Sequence, residues 1–274
     1  MQDFDFPAYV LKRRGEVSKG DFHLQNYAYL EDIERLRQLS QRDIVRQALQ
    51  LGLQAWKIAR LRAIQSHSQP ISSDDPTAKI WSDVCFTFRH TPLPMRLMPS
   101  QKAFIAPWGG DEGTFYTLSP AGYTLPTTAL KFVFGRGIGA LDNSHVPWMT
   151  LSYFIDDLTR GLWNKVTQIP DILLHWKRCA IITQDRAGLL ATRDMSGAIY
   201  AILKESLDWT DTEIMSELRR YHEKRDVDWG ENDVEKRIRA LELFTESRIY
   251  KRSSGRPISD IDADVQKLYS IFGD

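Results

Sequence analysis

Strand-like alternation in this 274-residue sequence is confined to one window, residues 84 to 118, and helical periodicity fills the chain on both sides of it. In VCFTFR (84–89), Val84, Phe86 and Phe88 alternate with Cys85, Thr87 and Arg89, the pattern of a half-buried strand. MRLM (95–98) is a second candidate, and KAFIAP (102–107) and TFYTL (114–118) lie on either side of the turn WGGDEG (108–113). A parallel α/β layout needs strands alternating with helices throughout the chain. The order here, helices, then a small sheet, then many helices, predicts instead an α+β, mainly helical fold.

The flanks carry the helical period. Leu30, Ile33 and Leu36 recur at spacings of three, and Ile44, Ala48, Leu51, Ala55 and Ile58 continue it, with Ser40 and Asp43 at the spacing of a helix-starting cap. Two packed helices are expected between residues 26 and 66, ended by the Pro-, Ser- and Asp-rich linker SHSQPISSDDPTAK (66–79). From Leu125 onward the chain reads as helical, with capping spacing at Thr210–Glu213 and Ser259–Asp262. Ile261, Val265, Leu268 and Phe272 trace one apolar face. The expected organisation is an N-terminal helical region (1–75), a central domain (80–255) and a C-terminal helix (256–274).

Composition removes several function classes. The 36 basic residues cancel the 36 acidic ones, so no overall field draws the chain to nucleic acid or an anionic membrane. No run of about 18 apolar residues exists, which predicts no membrane span. The segment MQDFDFPAYVLKRRG has no apolar core of the secretory type, so a cytoplasmic location is expected. Cys85 and Cys179 read as buried, reduced thiols.

The most distinctive stretch is KFVFGRGIGALDNSH (131–145). Its glycines at 135, 137 and 139 evoke a dinucleotide loop, but the third comes one place early. No Val/Ile-rich strand follows within thirty residues, as a βαβ unit requires, so the nucleotide reading fails on context.

Residues 93 to 145 are similar to the catalytic core of the HtpX and CAAX prenyl-protease type zinc peptidases, through Leu97, Pro99, Ser100, Ala103, Phe104, Gly110 and Gly122. RCAIITQDRAGLL (178–190) resembles that family's later motif through Arg178, Asp185, Arg186, Gly188 and Leu189. DMSGAIYAILK (194–204) and VEKRIRALELFTES (234–247) resemble two further helices of the family. The resemblance implies a zincin-like core, and its helix with the metal ligands falls on GRGIGA.

Such a helix needs two histidines at i and i+4 on one face, with a glutamate after the first as general base. Those places hold Arg136, Ala140 and Gly137, and the third-ligand place holds Ile181. None of these side chains ligates a metal, so neither metal nor cofactor is expected. None of the six histidines pairs with another at i,i+4, and His145 reads as a capping or surface residue. Adjacent Asp142, Ser144 and His145 do not make a triad, which is assembled across a fold. Asp156, Asp157 and Asp194 read as solvated or salt-bridged acids. Asp185 and Arg186 match the motif that supports the family's site from behind its ligands.

The expected function is that of a catalytically inactive metallopeptidase homologue, a pseudopeptidase that binds a protein or peptide. An extended peptide would lie along an edge strand around Thr114, Tyr116 and Leu118, beside Trp108. The alternative is a repurposed, metal-independent enzyme holding a small anion on Arg136, with Asp185, His145 or Tyr123 as chemical groups. A third reading, a structural subunit acting through its N-terminal helices, expects an exposed apolar stripe on residues 26 to 66.

Overall fold

The computed structural model describes residues 27–99, 101–110, 113–159, 169–207, 209–223 and 232–259. Its centre is a pair of helices, α6 (Thr127–Asp142) and α8 (Ile169–Thr192), packed closely along one another. Glycine makes that approach possible. A Cβ on Gly135 would stand 2.6 Å from Ala191 Cβ and 2.8 Å from both the Ala187 carbonyl oxygen and Gly188 Cα. A Cβ on Gly139 would meet Ala187 Cβ at 2.7 Å. Three glycines cost a helix about 1 kcal/mol each against alanine. Offsetting packing comes from Phe132, Val133, Phe134 and Ile138, all buried completely.

Before α6 come α1 (Leu30–Gln41), α2 (Asp43–Ala59), α3 (Leu61–His67), β1 (Gln69–Pro70), α4 (Pro76–Thr87), β2 (Met95–Leu97), β3 (Ile105–Gly110), β4 (Gly113–Leu118) and the single turn α5 (Pro120–Tyr123). After it come α7 (Val146–Thr159), α8, α9 (Met195–Leu207), α10 (Asp211–His222), α11 (Asn232–Thr245) and α12 (Arg248–Ser253). The chain is thus mainly helical with one small mixed sheet, as the distribution of periodicities predicts. Thr210 and Glu213 close a full capping box at the start of α10. The helix expected over 256–274, with its Ser259–Asp262 start, depends on residues 260–274, outside the described ones.

The sheet has the order β1-β2-β4-β3. β2 runs parallel to β4, whereas β1–β2 and β3–β4 are antiparallel, the latter in the register Trp108 opposite Phe115. VCFTFR is not among its strands. Asp75 caps α4 by accepting from the Thr77 amide at 2.7 Å, and Pro76 opens the helix. Trp81, Val84, Cys85 and Phe88 then form one buried helical face, while Phe86 is 61% exposed. A short aromatic alternation fits both periods, and the cap twelve residues upstream of Thr87 decides for the helix. The linker 66–79 holds that cap and the two-residue strand β1.

The N-terminal region is helical as expected, but three helices, α1, α2 and α3, stand where two were expected. Ser40 does not cap α2; its hydroxyl donates to the Leu36 carbonyl within α1, and Arg42 stands at the cap without a side-chain bond. The face of α2 that meets the protein runs through Leu49, Gly52 and Trp56, where Trp56 stacks on Trp108 with ring centroids 6.1 Å apart. Leu51 and Ile58, on the apolar stripe that the sequence traces along this helix, are 67% and 82% exposed. Among the described residues no helix is long and apolar enough to cross a membrane.

Candidate functional site

Arg136 projects from α6 into a buried cluster of four charges. Its Nε lies 3.1 Å from Asp185 Oδ1 on α8, and its Nη1 donates to Glu205 Oε2 on α9. Asp185 is also gripped by Arg237 from α11, whose Nε and Nη2 donate to its two oxygens at 2.7 and 2.9 Å. Arg237 Nη1 reaches Ser206 at 3.2 Å, and the Phe104 amide donates to Glu205 Oε1 at 3.0 Å. Two guanidinium groups and two carboxylates therefore balance, tying four helices and the lead-in to β3 together. Pairing and hydrogen bonding of this kind offset the cost of taking the charges out of water.

The electrostatics follow from that pairing. Burial acts to lower the Arg136 pKa, but Glu205 and Asp185 outweigh it and hold the guanidinium charged. Burial acts to raise Glu205, and Arg136 with Arg237 reverses the effect, keeping the carboxyl below its usual value.

A cavity of about 40 Å³ adjoins this cluster, lined in part by Arg136, Gly137, Ala140, Gln184 and Glu205. It has room for a few ordered waters. Pockets for small-molecule ligands are about 300–1,000 Å³. Gly137, at the general-base place implied by the resemblance, has the Ile105 and Tyr116 side chains against it instead. The Tyr116 hydroxyl donates to its carbonyl at 2.9 Å. Ala140 is buried beside Met149 and Gln184, and α8 contributes Gln184 to the cavity lining, whereas the half-buried Ile181 is not part of it.

His145 belongs to a different cluster and is not a surface residue, being only 1% exposed. Asn143 ends α6, Ser144 takes a left-handed φ of 59°, and the His145 amide returns to the Ala140 carbonyl at 2.9 Å. That turn drives the imidazole inward just before α7. Nε2 meets Asp32 Oδ2 at 2.9 Å, and Nδ1 lies 3.3 Å from Gln184 Nε2. Both ring nitrogens are thereby engaged. Thr183 donates to the same Asp32 oxygen at 2.6 Å and accepts the Tyr29 amide at 3.0 Å. The cluster thus pins the start of α1 to α8.

Arg186 is fully buried, sandwiched between the Tyr29 and Phe244 rings at 5.3 and 5.4 Å and donating to the Tyr27 carbonyl. Burial pulls its pKa down to about 10. Asp142 is occupied by His90 Nε2 and the Tyr27 hydroxyl, not by Ser144. Asp194 accepts from the Ser196 amide at 3.0 Å, a local turn contact. Tyr123 is bonded to Asp75 at the surface. The side chains of Asp156 and Asp157 lie outside the described residues.

The edge-strand expectation is corrected by the topology. β4, with Thr114, Tyr116 and Leu118, runs between β2 and β3: β3 pairs it from Gly113 to Leu118, and β2 pairs it on the other side at Tyr116, Thr117 and Leu118. Tyr116 and Leu118 are fully buried, and the Trp108 indole donates to Thr117 while packing on Trp56 and Tyr153. A sheet grows only at an edge. The outer strand next to β4 is β3, which carries Pro107 and lies under α7.

Sequence reasoning missed Glu205, Asp32 and Gln184, which no local signal marks. Arg237 had a signal: it stands in VEKRIRALELFTES as Asp185 stands in RCAIITQDRAGLL, and the two are bonded. Among known proteins, no family model, no curated protein and no solved structure matches the chain.

Proposed function

We propose that this chain is a catalytically inactive, zincin-like metallopeptidase homologue that works by binding a protein partner. The observation that carries the reading is the setting of Arg136. At the place where the resembled family holds its first metal ligand stands a guanidinium neutralised by Asp185 and Glu205. The bond between Asp185 and Arg237 supports the same reading, because two motifs quoted for the resemblance meet there. A cavity of about 40 Å³ is far smaller than the pockets that hold ligands, and a guanidinium facing two carboxylates is a poor anion site.

Binding then falls to a surface other than the sheet. Leu51 and Ile58 lie seven residues apart on one face of α2, and with Ala55 between them they form an exposed apolar stripe. An apolar helical face of this kind docks into a groove or against a second helix.

Two measurements test the proposal. Incubation of the full chain with an unfolded protein substrate and Zn²⁺ is expected to give no cleavage; chelator-sensitive cleavage overturns the inactive assignment. Affinity capture from cells is expected to recover a partner with the wild type that is lost with Leu51→Ser/Ile58→Ser. Equal recovery by both removes α2 as the binding surface.

A further inference from the structure

A second chemistry-bearing cluster lies away from Arg136, where α1 meets the first half of α8. His175 and Cys179 are four residues apart on α8 and so share one helix face, toward which Glu31 projects from the first turn of α1. One ligand atom from each residue lies within 4.8 Å of the other two. Glu31 Oε1 and His175 Nε2 are 3.6 Å apart. Ligand atoms around a tetrahedral zinc ion, at bond lengths of about 2.0–2.3 Å, stand roughly 3.3–3.8 Å apart. The carboxylate and imidazole are therefore already spaced for a shared ion, and the thiol closes the remainder by side-chain rotation.

Three further observations point to a cation here. His175 Nε2 is buried and has no hydrogen-bond partner among the described residues, although it faces Glu31. The other Glu31 oxygen accepts from the Tyr29 hydroxyl at 2.9 Å, which fixes the carboxylate as outer partners of metal ligands do. A positive group is already present: the Arg35 guanidinium donates twice to Glu31 Oε1, at 2.9 and 2.6 Å. The Arg35 side chain is 31% exposed, so it can swing into solvent and give up that place.

We propose that Glu31, His175 and Cys179 form a site for a single borderline-soft divalent cation, of which Zn²⁺ is the type, with solvent in the fourth position. The donor set of one thiolate, one imidazole and one carboxylate selects against Mg²⁺ and Ca²⁺, which take oxygen ligands. Binding exchanges the Cys179 proton for the metal–sulfur bond and releases it to solvent. The ion clamps α1 onto α8 and shares no residue with the Arg136 cluster, so this site is independent of the inactive-peptidase reading.

Titration of the full chain with Co²⁺ tests the site. The expected result is one equivalent bound, with a thiolate-to-cobalt charge-transfer band that Zn²⁺ abolishes. Cys179→Ser removes the band, and His175→Gln, at a half-exposed position, weakens binding by more than about 100-fold, beyond the loss typical of outer partners. Arg35→Ala strengthens binding, because the competing cation is gone. Circular dichroism establishes that each variant is folded. No band in the wild type, a band surviving Cys179→Ser, or unchanged affinity in His175→Gln overturns the proposal.

Discussion

Replacing Asp185 by Asn keeps the shape of the side chain at the centre of the ion cluster and removes its charge. The wild-type carboxylate, 1% exposed, receives Arg237 Nε at 2.7 Å and Nη2 at 2.9 Å, and faces Arg136 Nε at 3.1 Å. A hydrogen bond to a charged group contributes about 1.5–3 kcal/mol, so the Arg237 fork represents about 3–6 kcal/mol. The amide oxygen of Asn still accepts one bond at ordinary strength, returning about 1 kcal/mol. Two guanidinium groups then share Glu205 alone. The expected loss is about 3–4 kcal/mol, within the 3–5 kcal/mol typical of breaking a buried ion pair. The assay is urea unfolding followed by tryptophan fluorescence. At a slope near 3 kcal/mol/M the midpoint falls by about 1 M. Arg237→Met made in the Asp185→Asn background should cost less than the sum of the single changes by about 1 kcal/mol or more, since the partner charge is already gone. A loss below about 1 kcal/mol, or additive single effects, refutes the claim that this pair holds α8 and α11 together.

Three more substitutions separate the physical terms. Gly135→Ala places a methyl against the backbone of α8, so the helices must part; about 2 kcal/mol of destabilisation is expected even after the gain in helix propensity. Gly137→Ala meets the end of Ile105 at 2.8 Å and the edge of the Tyr116 ring at 3.1 Å but no backbone, and should cost about 1 kcal/mol in thermal unfolding; equal costs refute the distinction. Glu205 is held below its ordinary value of 4.5 by Arg136 and Arg237 against its burial. A depressed carboxyl contributes stability that is present above the unfolded value and lost as pH falls through the folded one. Wild-type stability should thus drop more steeply below pH 4.5 than that of Glu205→Gln, and parallel curves between pH 5 and 3 refute the coupling.

Much of the fold is legible locally. The strand candidates at 95–98, 102–107 and 114–118 fall on β2, β3 and β4, although β3 runs on through Trp108 to Gly110, which read as turn; the helical N-terminal region and the Thr210–Glu213 box follow from period and capping chemistry. VCFTFR misleads because six residues satisfy two periods, and only the Asp75 cap together with the burial of Trp81 and Phe88 separates them. The apolar period of α2 does not by itself say which residues turn inward: Leu51 and Ile58 are exposed, and the burial of Trp56 against Trp108 sets the face that meets the protein.

By itself the sequence determined the class of the fold, mainly helical with one small sheet, and the presence of a glycine-bearing helix with Arg136, Gly137 and Ala140 where the resembled motif has two histidines and a glutamate. These are properties of neighbours along the chain, set by backbone period and side-chain chemistry. Tertiary structure alone decided that β4 is central, that His145 turns inward to Asp32, and that Arg136 meets Asp185 and Glu205. The ion pairs among these outcomes join residues 49 to 113 positions apart, and the pairing of β2 with β4 joins residues 21 apart, all brought together by packing across the fold. No periodicity within one helix encodes which charge on another helix will face it, because that choice is made by the free energy of the assembled core.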